Sequence, residues 1–248
     1  MEQNVNKLIM EVRAGAGGDE ASIFAGDLVH MYQRYALKRG WKFTELDSNQ
    51  TTLDGYKSFM GRIEGQGVYN ALKQESGVHR VQRIPKTEKA GRVHTSTASV
   101  AILPVVDERE VAINPSDLEI SFFRASGPGG QNVNKVETAV RIVHKPTGVV
   151  VASQSERSQN ANKENAMSVL RSRIFEAMRE QQVASMSALR KEQIGSNERS
   201  EKIRTYNFPE DRITDHRIGK KFHNIPKIFE GAMDPIVEAF EKENQKTA

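Results

Sequence analysis

The chain of 248 residues contains no cysteine and a single tryptophan, and aromatic residues make up only 6% of it. Without cysteine, a disulfide scaffold, a thiolate metal site and a thiol nucleophile are all excluded. The longest uncharged apolar stretches, such as Ser99–Val106, are strand-sized and far shorter than the roughly 20 residues of a membrane helix. These absences exclude a membrane protein and favour a reducing, cytoplasmic compartment.

The charge is modest in sum but uneven along the chain, with a net value of +4. Between Arg80 and Arg92 five basic residues accompany one acid, and between Arg124 and Arg179 nine basic residues accompany four acids. Two separated basic regions on a balanced chain indicate contact with a polyanion at two places. Solvated surface charge is the alternative.

In the first hundred residues, segments in which apolar residues recur with the spacing of a strand alternate with segments that have the spacing of a helix. Strands are predicted at Lys7–Arg13, Trp41–Leu46, Ser58–Ile63, Val78–Ile84 and His94–Leu103, and helices at Asp19–Arg39 and Val68–Glu75. This order predicts an α+β sandwich with helices on one face of a mixed sheet.

A domain boundary is predicted near Pro104–Pro115, where prolines and charges interrupt the pattern. A second, smaller α+β domain follows, with strands at Leu118–Arg124, Thr138–His144 and Val149–Ser153 and a long amphipathic helix at Asn160–Arg190. The predicted organisation is therefore a first domain at 1–106, a second at 107–190, a hinge or switch linker at 191–204, and a C-terminal segment at 205–248. That last segment ends in a helix from about Asp234 and packs with the first domain.

The first of two glycine clusters, Ala14–Gly18, lies between a strand and a helix, where a phosphate-binding loop would sit. No Lys-Ser/Thr pair follows the glycines, and Asp19 and Glu20 at the helix start would repel an anion. Carboxylates at a helix tip are better suited to accepting hydrogen bonds from the amino and imino groups of bases.

The second cluster, Ser126–Asn132, is too rich in glycine and proline for a core element, and a mobile surface loop is its simplest interpretation. Gly129 and Gly130 have no Cβ, so the backbone there can enter a narrow site. Gln131 cannot act as acid, base or nucleophile, because a carboxamide does not titrate near neutral pH. If this loop does chemistry, its amide donors stabilise a developing oxyanion, and a partner supplies the rest of the site.

Several strings along the chain resemble signatures of one family, the class I peptide chain release factors. They are Arg124–Gln131, Ser76–Pro85, Gly91–Ser96, Arg204–Pro209 and Thr214–Arg217, and together they span almost the whole sequence. The resemblance implies translation termination: a stop codon is read in the ribosomal A site, and the peptidyl-tRNA ester is hydrolysed in the peptidyl-transferase centre.

The resemblance also implies codon-reading residues. Pro85-Lys86-Thr87 matches the Pro-x-Thr form of the family branch that reads UAA and UAG. By resemblance, Gly17 and Glu20 contact the first base and Thr87 the first two, His94 stacks beside the second, and Gln82 and Thr95 hydrogen-bond the third. Stacking and Watson–Crick-edge hydrogen bonds are how proteins read unstacked RNA. From the residues alone, Gln82 and Thr95 are simply the solvent face of a strand.

Catalysis is implied at Gly129, Gly130 and Gln131, with N5-methylation of Gln131 by a glutamine methyltransferase. The implied partners are the ribosomal decoding and peptidyl-transferase centres, the mRNA stop codon and the P-site peptidyl-tRNA. The chain is not expected to be a free-standing enzyme, nor to need a cofactor, a metal or a membrane, and a monomer is expected. Family members usually carry a further N-terminal helical domain, so contacts made through it, including those with the recycling GTPase, stay open.

Three other interpretations are compatible with parts of the pattern. A ribosome-rescue factor shares Gly-Gly-Gln but usually lacks a codon-reading domain, so Pro85–Thr87 and His94 argue against it. An RNA-binding module without hydrolytic activity would explain the basic regions. A nucleotide enzyme would explain the strand, glycine turn and helix at the start of the chain.

Overall fold

The computed structural model describes residues 5–85, 88, 90–105, 113–124, 136–195 and 199–247. The chain divides into two units, one formed by Met1–Val106 with Met186–Ala248 and the other by Asp107–Ser185. The division at Val106 falls inside the proline-bounded stretch described above. The chain returns to the first unit at Met186, a few residues before the boundary that the sequence predicts.

Eleven strands and five helices are present among the residues that the structure describes. The strands are β1 Lys7–Ala14, β2 Lys42–Gln50, β3 Tyr56–Glu64, β4 Gly77–Arg83, β5 His94–Pro104, β6 Leu118–Phe123, β7 Ala139–His144, β8 Val149–Ser153, β9 Lys202–Asn207, β10 Arg212–Asp215 and β11 Lys221–His223. The helices are α1 Asp19–Lys38, α2 Val68–Leu72, α3 Gln159–Ile194, α4 Ile225–Phe229 and α5 Asp234–Thr247.

The first unit is built on one eight-stranded sheet in the order β11-β10-β9-β4-β5-β1-β3-β2. Strands β4 and β9 are parallel, whereas the other neighbouring pairs are antiparallel. The mixed sheet and the α+β class predicted from the sequence are therefore confirmed.

Helix α1 supplies much of the core of this unit. Its first turn carries Asp19 and Glu20, which complement the helix dipole. Its apolar side packs against β1, β3 and β5, and α4 and α5 contribute to the same core. The principal buried side chains of α1 are Phe24, Leu28, Met31, Tyr32 and Tyr35.

Part of the opposite face of the sheet is covered by the end of α3, which corrects the expectation of helices on one face. Glu11 alternates along β1 with the core residues Met10 and Val12, and it is nevertheless only 2% exposed. Its carboxylate accepts a hydrogen bond from Arg190 near the end of α3. The Gln193 side chain, one turn further on, donates to Ile102 O (3.0 Å) and accepts from Ile102 N (2.9 Å).

The predicted linker at 191–204 is partly wrong, because α3 continues to Ile194 and β9 begins at Lys202. The helix ends where Gly195 takes a left-handed φ of 57° and its N–H donates to Lys191 O. The continuation of α3 is explained by tertiary contacts, since Arg190 and Gln193 bind the sheet.

The chain from Lys202 onward adds three strands to the sheet, which sequence periodicity did not reveal. Strands β10 and β11 have only four and three residues, too few for an alternating pattern to stand out. Strand β9 pairs in parallel with β4, so its register depends on a distant part of the chain.

The second unit contains a three-stranded antiparallel sheet in the order β6-β7-β8, with the first part of α3. The turn between β7 and β8 is closed by Gly148 N donating to His144 O (2.8 Å). The core of this unit consists of Val140, Ile142, Val151, Ala166, Leu170 and Ile174.

Candidate nucleic-acid interface

The glycine turn before α1 is attached to β5. Ala16 N donates to Thr97 Oγ1 (2.9 Å), and Thr97 N donates back to Ala16 O (2.9 Å). Gly17 has a φ of 137°, and a Cβ at this position would overlap the Ser96 side chain. Only glycine therefore fits this turn without rearrangement.

Gln82 and Thr95 lie directly opposite each other on β4 and β5. Directly opposed residues of neighbouring strands share one face of the sheet. Asn207 of β9 pairs with Gln82 from the other side and extends the row, and both Gln82 and Thr95 are partly buried. Gly17, Gln82 and Thr95 thus come from three separate segments to one end of the sheet, beside the β4–β5 connection.

Glu20 is buried, at 5% exposure, and its carboxylate is bound from within the protein. Arg83 Nε donates to Glu20 Oε1 (2.5 Å), and Arg83 Nη1 donates to Asp27 Oδ2 (2.6 Å). The guanidinium also lies over the ring of Phe208, 5.3 Å from its centroid. Burial opposes the charge of Arg83, but Asp27 and Glu20 outweigh it and raise its pKa. Glu20 Oε2 has no hydrogen-bond partner among the described residues.

His94 begins β5, opposite Arg83, and its side chain is 48% exposed. Its Nε2 lies 2.8 Å from Glu88 Oε2, the only carboxylate between Arg80 and Arg92. Pro85 is buried, and its carbonyl accepts from Glu88 N (3.1 Å). Lys86 and Thr87 lie outside the described residues, as do Gly129, Gly130 and Gln131 of the second glycine cluster.

A buried ion network lies in the same unit and joins the C-terminal strands to the rest of the sheet. Arg204 is fully buried and donates from both terminal nitrogens to Glu75, at 2.6 and 2.9 Å, and from Nε to Asp215 (3.0 Å). Tyr32 OH donates to Glu75 Oε2 (2.9 Å), and Arg217 donates to Asp215. Burial opposes ionisation of Glu75, but Arg204 outweighs it and lowers the pKa of this carboxyl.

His79 adjoins this network and is completely buried. Its Nε2 lies 2.9 Å from Glu75 O, which can only accept, so Nε2 carries the proton and Nδ1 accepts from Tyr206 OH (3.2 Å). Burial, together with the positive charge of Arg204, lowers the pKa of His79 from 6.5 to about 4. The imidazole is therefore neutral at pH 7.

We expect the free energy of unfolding to fall as the pH is lowered from 6.5 to 4. In this range His79 takes up a proton in the unfolded chain but not in the folded protein. This residue alone contributes a slope of up to about 1.4 kcal/mol per pH unit. His79→Gln keeps a donor and an acceptor without titrating, so its slope should be shallower. Urea unfolding of both proteins across this range measures the difference, and equal slopes would contradict the assignment.

Sequence reasoning missed the ion pairs inside this unit, which involve Arg83, Asp27, Glu75 and Arg204. Asp27 follows Glu20 by seven residues, two helical turns, so a shared helix face was a usable signal for this pair. For Glu75 and Arg204, 129 residues apart, no local pattern could indicate the contact.

Family models match both units of the chain. The PCRF domain model matches residues 1–100, and the RF-1 domain model matches residues 107–217. Among solved structures, RF2 of Thermus thermophilus is similar, with a TM-score of 0.58 and 35% identity over 96% of this chain and 68% of that one. The chain therefore belongs to the family of peptide chain release factors.

Within this family, the chain is similar to proteins named peptide chain release factor 1. It is 56% identical to that of Carboxydothermus hydrogenoformans over 238 residues, covering 96% of this chain and 66% of the relative. It is 53% identical to that of Aquifex aeolicus over 236 residues, covering 95% of this chain and 65% of the relative. The chain thus spans just under two thirds of the length of these relatives.

Among the residues that the structure describes, no helix is long and apolar enough to cross a membrane.

Proposed function

We propose that this chain terminates translation by reading UAA and UAG and by promoting hydrolysis of peptidyl-tRNA on the ribosome. The observation that carries this proposal is the 56% identity, over 96% of the chain, to a protein named peptide chain release factor 1. The location of Gly17, Gln82 and Thr95 at one end of the sheet supports it, because Gln82 pairs with Thr95 and Gly17 contacts Ser96, the next residue of β5.

Codon reading is assigned to the residues around the β4–β5 connection. Gln82 and Thr95 can each donate and accept a hydrogen bond, which suits a third base that is either purine. The exposed ring of His94 is available for stacking, and Pro85-Lys86-Thr87 would read the first two bases with the Gly17–Glu20 turn. The buried ion pair with Arg83 holds the Glu20 side chain in place in the first turn of α1.

The chemistry is assigned to Gly129, Gly130 and Gln131, acting in the peptidyl-transferase centre and not as a free-standing enzyme. There, the backbone N–H of Gln131 stabilises the transition state and the leaving 3′-hydroxyl, while its side chain helps to select water. Ribosomal RNA and the tRNA supply the remaining groups. A glutamine methyltransferase acting on Gln131, a cytoplasmic location and a monomeric state belong to the same proposal.

The decisive experiment is peptide release from purified ribosomes programmed with UAA, UAG, UGA or a sense codon. The expected result is rapid release on UAA and UAG and little on the other two. Equal release on a sense codon would favour a ribosome-rescue factor. Binding to ribosomes without release on any codon would favour an RNA-binding module, and release on UGA would overturn the assigned specificity.

A further inference from the structure

Asn162, in the first turns of α3, is a fully buried side chain whose hydrogen-bonding capacity is completely used. Its Nδ2 donates to Thr138 O and to Glu156 O, each at 2.9 Å. Its Oδ1 accepts from Glu156 N (3.0 Å) and from Ser153 Oγ (3.2 Å). Two carbonyls on one side and two donors on the other leave a single orientation for the carboxamide.

The Thr138 carbonyl held by Asn162 belongs to the segment that follows the second glycine cluster, Ser126–Asn132. Strands β6 and β7 flank this cluster in the sequence, and their last ladder pair is Phe123 with Ala139. Beyond that pair, Gln159 Nε2 donates to Glu137 O (2.8 Å). Two consecutive carbonyls, outside the strand ladder, are thus bound by amide side chains of α3.

We infer that Asn162, assisted by Gln159, is a positioning residue that fixes the exit stem of the glycine cluster, so that Gln131 is presented to the reacting ester in a defined direction. This inference rests on the proposed function. A loop that must place one backbone N–H accurately depends on where its ends are held, because each freed stem residue enlarges the volume that its tip explores. The ladder holds both ends at the Phe123–Ala139 pair, and the two amides extend this hold on the exit side to the carbonyls of Thr138 and Glu137.

A purely structural role is the competing explanation, because removing any buried amide destabilises a small unit. Asn162→Asp separates the two roles. Asp is nearly isosteric and keeps the acceptor for Glu156 N and Ser153 Oγ, but it places an oxygen against the carbonyls of Thr138 and Glu156. Ser153→Ala is the matched control, because it removes another hydrogen bond of the same side chain and leaves the bond to Thr138 intact.

The test measures single-turnover peptide release on UAA at saturating protein, together with hydrogen exchange of the Glu137–Ala139 amides and thermal unfolding. We expect Asn162→Asp to lower the release rate about tenfold at unchanged ribosome affinity, with faster exchange at the stem. Ser153→Ala should retain the wild-type rate and stem exchange. The exposed Gln159→Ala, which should fold normally, is expected to lower the rate about twofold to threefold.

Different results would contradict the proposed function and the positioning role of Asn162. If the wild-type chain releases no peptide on any stop codon, the proposed function is wrong, and stem exchange then tests only whether Asn162 fixes the stem. If the wild type is active and Asn162→Asp and Gln159→Ala both match Ser153→Ala in rate and exchange, the positioning role is overturned. If Asn162→Asp does not fold, Gln159→Ala alone decides.

Discussion

Replacing Gln131 by proline is expected to lower the rate of peptide release on UAA by about 100-fold to 1000-fold. Proline has no backbone N–H, so this change deletes the donor to which the proposed mechanism assigns stabilisation of the transition state. Loss of one such donor costs about 2.7–4 kcal/mol in enzymes that stabilise an oxyanion. Single-turnover release at saturating protein measures the effect, and a binding assay on the same ribosomes checks that affinity is retained.

Gln131→Ala is the control for this experiment, because it keeps the backbone N–H and removes only the carboxamide. The rate of peptide release should fall much less in this variant. Larger nucleophiles such as hydroxylamine should, however, compete better with water in the peptidyl-transferase centre. If the proline and alanine variants release peptide equally fast, the backbone donor is not the source of catalysis. A wild-type rate for both would show that Gln131 takes no part in peptide release.

Replacing Arg204 by methionine is expected to destabilise the protein by about 3–5 kcal/mol. Methionine fills a similar volume but leaves Glu75 without its bidentate partner and Asp215 without one of its two cations. Buried carboxylates without compensating charge are costly, because neither water nor a cation replaces the lost contact. Urea unfolding at pH 7 measures the change in the free energy of unfolding.

The matched control is Lys242→Met, which breaks an exposed pair with Glu238 in α5. Exposed ion pairs of this kind contribute less than about 0.5 kcal/mol to the free energy of unfolding, so the urea midpoint should hardly change. The double variant Glu75→Leu/Arg204→Met removes both members of the buried pair and should recover part of the lost stability. Strictly additive single effects would show that the two side chains do not stabilise each other.

Local sequence patterns predicted the elements that fold on nearby residues. Strands β1, β3 and β8 and helix α1 were found because alternation and helical spacing record which face of each element is buried. The end of α3 was missed for the opposite reason. Its last turns have a weak apolar stripe, and Arg190 and Gln193 stabilise them through polar contacts with a sheet whose position the local sequence does not report.

For the candidate site too, some features could be predicted from the sequence and others only from the structure. Gly17, Gln82 and Thr95 could be chosen from motifs, and their roles in codon reading stay predictions. Their common location at one end of the sheet became visible only through the β4–β5 register and the contact of Gly17 with Ser96. Asn162 carried no signal in the sequence, because a polar residue near a helix start is ordinarily a solvent-exposed one.

The sequence by itself determined the class of fold, the separation of two basic regions and the residue types available for reading RNA and for presenting a backbone donor. Those properties depend on composition, on periodicity and on the absence of a Cβ, which are local. The tertiary structure alone decided that Arg204 meets Glu75, that Arg83 binds the Glu20 carboxylate and that Asn162 holds the carbonyl of Thr138. Such contacts join segments far apart in the chain, and they form only when burial has aligned the strands and helices that carry them.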